Sequence, residues 1–144
     1  MSSSKTKNFH GMPLSYLTNL MDNSDFPFII NKLNFENLMY IGIRDIDNHE
    51  KKIIKKFNIK YISCNEINNN LNKSLDKIIH FIGNNPIHLS FDVDCMDPEI
   101  IPCTGTKFKN GLNLMNTKII LDRLADTNIV NIDITEINLE LGNK

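Results

Sequence analysis

The segment SFDVDCMDPEIIPCTGT, Ser90 to Thr106, gathers Asp92, Asp94 and Asp97 where an apolar run finishes. The run reads as a strand through Asp94, and side chains alternate along a strand, so Asp92 and Asp94 point to the same side. Carboxylates held that close repel each other. Keeping both ionised takes a cation or hydrogen-bond donors. Hard divalent ions such as Mn²⁺ and Mg²⁺ prefer oxygen ligands, and Mn²⁺ also accepts imidazole. A metal site is therefore one reading of the spacing. A solvated strand end, with Asp97 capping a turn, is the other. Two more apolar runs end in acid: LMYIGIR is followed by Asp45 and Asp47, and IVNIDITEIN carries Asp133 and Glu136.

Something must bring those acids to one rim. Four short apolar runs read as strands: about Leu38 to Arg44, IKYIS, PIHLSFDVD and IVNIDITEIN. Helical patterns lie between them. DNHEKKIIKKF has Asp47 or Asn48 as N-cap. NEINNNLNKSLDKIIHFIG places Ile67, Leu71, Leu75, Ile78, Ile79 and Ile82 on one face, and Gly83 closes it. GLNLMNTKIILDRLADT is a further amphipathic helix. HGMPLSYLTNLM predicts an earlier one, with Pro13 in its first turn. Strand alternating with helix predicts an α/β domain with a parallel sheet. In such sheets ligands bind outside the carboxyl ends of the strands, where the acids fall. The first element is a helix and the last a strand, so the pattern looks like the second half of something larger.

The bulk properties fit one domain of 144 residues, with polar residues 1–8 as a flexible start and 9–144 as the folded part. Hydrophobic residues make up 41% and charged residues 23%, as in soluble globular proteins. The formal net charge of −1 argues for neither nucleic acid nor an anionic membrane as partner. Three cysteines without a CxxC pair suit a reduced compartment. There is no secretory h-region and no apolar run of membrane-spanning length. A cytoplasmic location is the expectation.

Read whole, SFDVDCMDPEIIPCTGT resembles the signature of the arginase and agmatinase family of ureohydrolases. NFHGMPLSYL is similar to that family's Asn-x-His-Gly-x-Pro segment. YIGIRDIDNHE is similar to its Arg-Asp-x-Asp-x-x-Glu loop, and IDITEIN to its last sheet strand. The Arg-Asp loop tilts the resemblance toward arginase, because it meets the α-amino group of an amino-acid substrate. The resemblance implies a three-layer αβα fold and hydrolysis of L-arginine to L-ornithine and urea by hydroxide formed on two Mn²⁺ ions. Asp92 would bridge the ions and Asp94 would bind one. His10 would shuttle a proton to the leaving amine. Glu136 would pair with the guanidinium and Thr106 would help position it. Asp47 and Glu50 would read the α-amino group, directly or through water. Apart from the resemblance, His10 reads as a structural histidine, and Asp47 and Glu50 as first-turn acids of a helix. A homotrimer is implied as well.

The family's other four metal ligands lie in a Gly-Gly-Asp-His and an Asp-Ala-His-x-Asp segment, neither of which occurs in this sequence. About half of the family's sheet and the helix after its last strand are expected to be missing. Cys95 and Asn110 stand in Gly positions, Cys103 in an Ala position, and Lys107 and Leu139 in Pro positions. Besides an active arginase, two alternatives follow: a catalytically inactive remnant that binds a partner or a metal, and an agmatinase-like ureohydrolase. A nucleotide-sugar enzyme could also use the DxD with Mg²⁺ or Mn²⁺, but no Gly-rich phosphate loop accompanies it.

Overall fold

The computed structural model describes residues 11–22 and 24–141. The expected flexible start, residues 1–8, and His10 lie outside the described residues. The chain divides into two compact units.

One unit comprises residues up to Met39 together with Ile46–Lys60. Pro13 opens α1 (Pro13–Leu17), where its missing N–H costs nothing. The Thr18 hydroxyl closes the helix by donating to the Leu14 carbonyl at 2.6 Å. Tyr16 is buried and meets Phe26 edge-on at 4.8 Å. Helix α2 (Asn48–Lys56) begins with a reciprocal cap. Asp47 Oδ1 accepts from the amides of His49 (2.7 Å) and Glu50 (2.8 Å), and Glu50 Oε2 accepts from the Asp47 amide at 2.7 Å. Lys55 and Lys56 sit in the last turn, where the helix dipole favours cations. Phe57, just past α2, stacks on Phe35 at 4.2 Å.

The other unit comprises Tyr40–Asp45 and Tyr61–Lys144. Strand β1 (Met39–Ile43) pairs with β2 (Lys60–Ser63), and β3 (Ile87–Asp92) pairs in parallel with β4 (Ile129–Thr135). The four strands expected from the sequence are thus present, arranged as two two-stranded sheets. Helix α3 (Cys64–Asn69) follows β2, then α4 (Leu71–Ile82), while α5 (Leu114–Ala125) leads into β4. Helix α4 packs on both α3 and α5. The core between helices and strands contains Ile62, Ile67, Ile78, Val93, Ile120 and Leu124, all nearly or fully buried. This is α/β architecture, as the strand–helix alternation predicts.

Three local expectations are corrected. The single long helix expected over the Asn-rich stretch is two helices, because Asn70 leaves helical geometry (φ −152°, ψ 83°). Its side chain instead accepts from the Lys73 amide at 3.0 Å and caps α4, while Ser63 caps α3. Asparagine gives up helix interior readily, and here its cap replaces the lost turn. Second, β3 stops at Asp92, so Asp94 lies in a 3₁₀ turn (Val93–Cys95) and not on the strand. Third, Asp133 sits inside β4, opposite Ser90, rather than at the strand tip. Gly83 does close α4, with φ +55°. Among the described residues no helix is long and apolar enough to cross a membrane.

Ile78 of α4 is fully buried. Ile78→Ala should lower the unfolding free energy by roughly 2–5 kcal/mol. A urea melt followed by circular dichroism checks it. A cost under about 1 kcal/mol would mean that α4 does not pack as described.

Candidate functional site

Strand β3 delivers Asp92 to its carboxyl end, and the chain then turns at once. Asp92 Oδ1 accepts from the Asp94 amide at 3.0 Å and so caps the 3₁₀ turn. It is this turn, not strand alternation, that brings Asp94 beside Asp92. Burial raises the Asp94 carboxyl to about 6; the neighbouring Asp92 charge adds to that, the Arg44 charge opposes it, and Glu136 contributes a smaller upward push. Asp94 therefore lies within reach of the Asp92 and Glu136 charges. Glu136 is the first residue past β4 and has φ +63°. A left-handed glutamate costs on the order of 1–2 kcal/mol, the kind of strain that gathers at functional positions.

Asp97 does something different. Its Oδ1 accepts from the Glu99 amide at 3.0 Å and its Oδ2 from the Gly111 amide at 3.2 Å. Those backbone donors, Glu99 first, hold its carboxyl below the ordinary range. The Asp97 amide donates to Leu112 O (3.0 Å), and the Leu112 amide to Cys95 O (2.9 Å). Asp97 thus clasps the two ends of the loop that carries Thr106, which matches the turn-capping alternative for this residue. The clasp closes so tightly that a Cβ on Gly111 would lie 2.4 Å from the Asp97 nitrogen. Asn110, in a glycine position of the signature, takes φ +64°, which asparagine tolerates. Thr106 itself is exposed. The Asn138 amide donates to Cys103 O at 2.8 Å, tying this loop to the segment just beyond Glu136.

The residue that sequence reasoning missed is Arg44, at the end of β1. Its Nη2 donates to Asp94 O (2.6 Å), Phe108 O (2.8 Å) and Met96 O (3.5 Å). Its Nη1 reaches Cys95 O (3.3 Å) and its Nε reaches Phe108 O (3.2 Å). One guanidinium fork thereby joins the carboxylate turn to the Thr106 loop. The sequence offers Arg44 only as the residue that closes an apolar strand and opens the Arg-Asp loop, with no sign of its partners. The nearby thiols are not nucleophiles at neutral pH: burial pushes Cys95 up to about 12 and raises Cys64 too.

Asp47 and Glu50 lie in the other unit, where each serves the reciprocal cap of α2. His10 lies outside the described residues. His88 and Asp133 pair at 2.8 Å on the exposed face of β3 and β4.

For a divalent cation the page offers Asp92 and Asp94, with carboxylate oxygens of the right hardness. Among the described residues, no three His, Cys, Asp or Glu side chains group so as to hold a metal ion. These residues do not by themselves fit a manganese pair.

The fold and the site define an α/β protein with its acids at the carboxyl ends of the strands. The description "Arginase family" matches residues 1–144, and the chain belongs to that family. It is 36% identical to an arginase of Emericella nidulans over 96% of this chain and 45% of that protein. It is 39% identical to an arginase of Glaciozyma antarctica over 92% of this chain and 41% of that one. It superposes on an arginase of Entamoeba histolytica, solved in complex with L-ornithine, with a TM-score of 0.92 and 27% identity, covering 99% of this chain and 50% of that one. The chain thus spans about half the length of the curated relatives it matches, and its fold is the corresponding part of an arginase-like αβα fold.

Two outcomes follow from the geometry. Folded Asp94 keeps a proton that the unfolded chain has released between 3.8 and about 6. Stability should therefore fall as pH rises through that interval. In metal-free buffer, Asp94→Asn should remove this fall and raise the urea midpoint at pH 7 relative to the parent; an unchanged pH profile would contradict it. Arg44→Lys keeps the charge but loses the fork. It should speed amide exchange at Met96 and Leu112 by about tenfold, the loss of one to two net hydrogen bonds, and leave β3 amides unchanged. Exchange measured by NMR decides; full rescue by lysine would mean that charge alone holds the turn.

Proposed function

We propose that the chain supplies the carboxylate-bearing part of an arginase: water hydrolyses the guanidinium of L-arginine to give urea and L-ornithine. In this reading Asp92 and Asp94 contribute to a manganese site completed by ligands beyond the described residues. Glu136 receives the guanidinium, Thr106 flanks it, and His10 serves the leaving amine. Asp47 and Glu50 read the α-amino group with carboxylate oxygens that also cap α2. The observation that carries the reading is the turn that sets Asp94 against Asp92, within reach of the Glu136 charge, on a chain that belongs to the arginase family. Assembly as a homotrimer and a cytoplasmic location belong to the same reading.

A second reading has its own support. The chain spans 45% of the Emericella nidulans arginase and its sequence carries neither a Gly-Gly-Asp-His nor an Asp-Ala-His-x-Asp segment, which favours a chain that is inactive by itself. Urea release separates the two. With Mn²⁺ and L-arginine, the 144-residue chain alone should give no urea above background. Adding the part of the Emericella nidulans arginase that the chain does not match should restore release. In that mixture Glu136→Gln should lower kcat/KM by about tenfold or more, the loss of one charge-assisted hydrogen bond to the guanidinium. Release from the mixture that is indifferent to Asp92→Asn and Glu136→Gln would sink the hydrolytic role. Agmatine hydrolysed in preference to L-arginine would move the reading to an agmatinase-like enzyme.

A further inference from the structure

Strands β3 and β4 do not pair in one continuous register. Ile87 lies opposite Ile129, but His88 lies opposite Asn131, so Val130 is one extra residue on the β4 side. Bulges are rare between parallel strands and gather beside functional sites, where they re-aim side chains. Beyond the bulge the ladder is regular, with Ser90 opposite Asp133 and Asp92 opposite Thr135. The extra residue decides what stands at the rim. Were Val130 paired with His88, Asp133 would fall opposite Phe91 and turn to the other face, because a one-residue slip inverts every later side chain. Glu136 would then stand one residue, about 3.3 Å, further out. With the bulge, Glu136 is the first residue past the level of Asp92, and its charge reaches Asp94.

The apolar face favours this register by matching Ile132 with Leu89 and Ile134 with Phe91. On the polar face one ring reads it directly. Asn131 Nδ2 donates to His88 Nδ1 at 3.1 Å, and His88 Nε2 donates to Asp133 Oδ2 at 2.8 Å. An amide nitrogen can only donate, so Nδ1 accepts and the ring proton sits on Nε2. Both ring nitrogens are thus spent on β4 residues two apart, and only the bulged register brings those two to the His88 side. The His88 and Asp133 side chains are half exposed, at 50% and 53%. Such a pair adds little to overall stability, and what it fixes is alignment. We infer that His88 is a positioning residue: its imidazole, clamped between Asn131 and Asp133, locks the bulged register of β4 and so sets Glu136 one residue past Asp92. The consequence for catalysis rests on the hydrolytic role proposed for Glu136; the lock itself does not.

The lock is read by NMR on the isotope-labelled chain in EDTA. The His88 ring should show a single protonated nitrogen, Nε2, and inter-strand proton contacts should join Ser90 with Asp133. His88→Ala should speed amide exchange across residues 131–135 by about tenfold, the loss of one to two net hydrogen bonds, while α4 and α5 amides keep their rates and report a folded chain. Asp133→Asn keeps an oxygen that accepts from Nε2 and should retain the parent rates; Asp133→Leu should match His88→Ala. That pair of variants decides the matter should His88→Ala fail to fold. A proton on Nδ1, unchanged exchange in His88→Ala, or equal losses in Asp133→Asn and Asp133→Leu would overturn the lock. In the mixture that releases urea, His88→Ala should lower kcat/KM by about tenfold, as a displaced substrate contact does. It should add nothing in a chain already carrying Glu136→Gln, because the two act as one unit. Full additivity would show that His88 does not act through Glu136. No urea from the parent mixture would defeat the hydrolytic reading and leave the NMR results to decide the lock.

Discussion

The joint on which the site depends is the Arg44 guanidinium. It stands at the end of β1 and gathers carbonyls from Asp94, Cys95, Met96 and Phe108. Three of those carbonyls belong to the sharp turn after Asp92 and the fourth to the loop that carries Thr106, so one side chain gives both a shared donor. A lysine could neutralise the region but could not satisfy four acceptors in one plane. Charge has a second consequence. The Arg44 cation opposes the upward push on Asp94. One side chain therefore shapes the turn and tempers the acids it presents.

The acids are crowded, and the crowding has a direction. Asp92 spends one oxygen on the Asp94 amide and so caps the turn. Asp94 gains no such donor and takes the proton instead, rising to about 6. Without a cation, the chain relieves the repulsion by protonating Asp94 at low pH and carries it above. Asp97 escapes the problem because two backbone amides occupy its carboxylate. Three aspartates in one short stretch thus take three roles: cap, proton holder and loop clasp.

Much of this was legible in the residues. Pro13, Asp47, Gly83 and the apolar periodicity located the helix boundaries, because caps and breakers act locally. The motif order located the acids and the family. What stayed hidden depends on contacts distant in sequence or on backbone dihedrals. Nothing in NEINNNLNK marks Asn70 as the break, since Asn68 and Asn69 have the same propensity. Tertiary bonds settle it: Asn68 reaches Gly111 and Asn116. Alternation along FDVD suggested why Asp92 and Asp94 would meet. They do meet, but through a turn that the pattern could not distinguish from one more strand residue. Arg44 was invisible as a brace because its partners are carbonyls some fifty to sixty residues away, and carbonyls have no sequence.

The same logic explains how a chain matching half of its relatives still forms a recognisable fold. The buried residues of the larger unit, from Ile62 to Leu124, come mainly from helices α3, α4 and α5 and the strand ends they cover. That layer is closed by contacts within the chain. The sheet is not: its four strands pair two by two, and β4 turns an isoleucine-rich face to solvent. A helical layer can be complete while its sheet is not, because helices satisfy their own backbone and strands require a neighbour. The acids sit on the open sheet, at strand ends whose partners are incomplete.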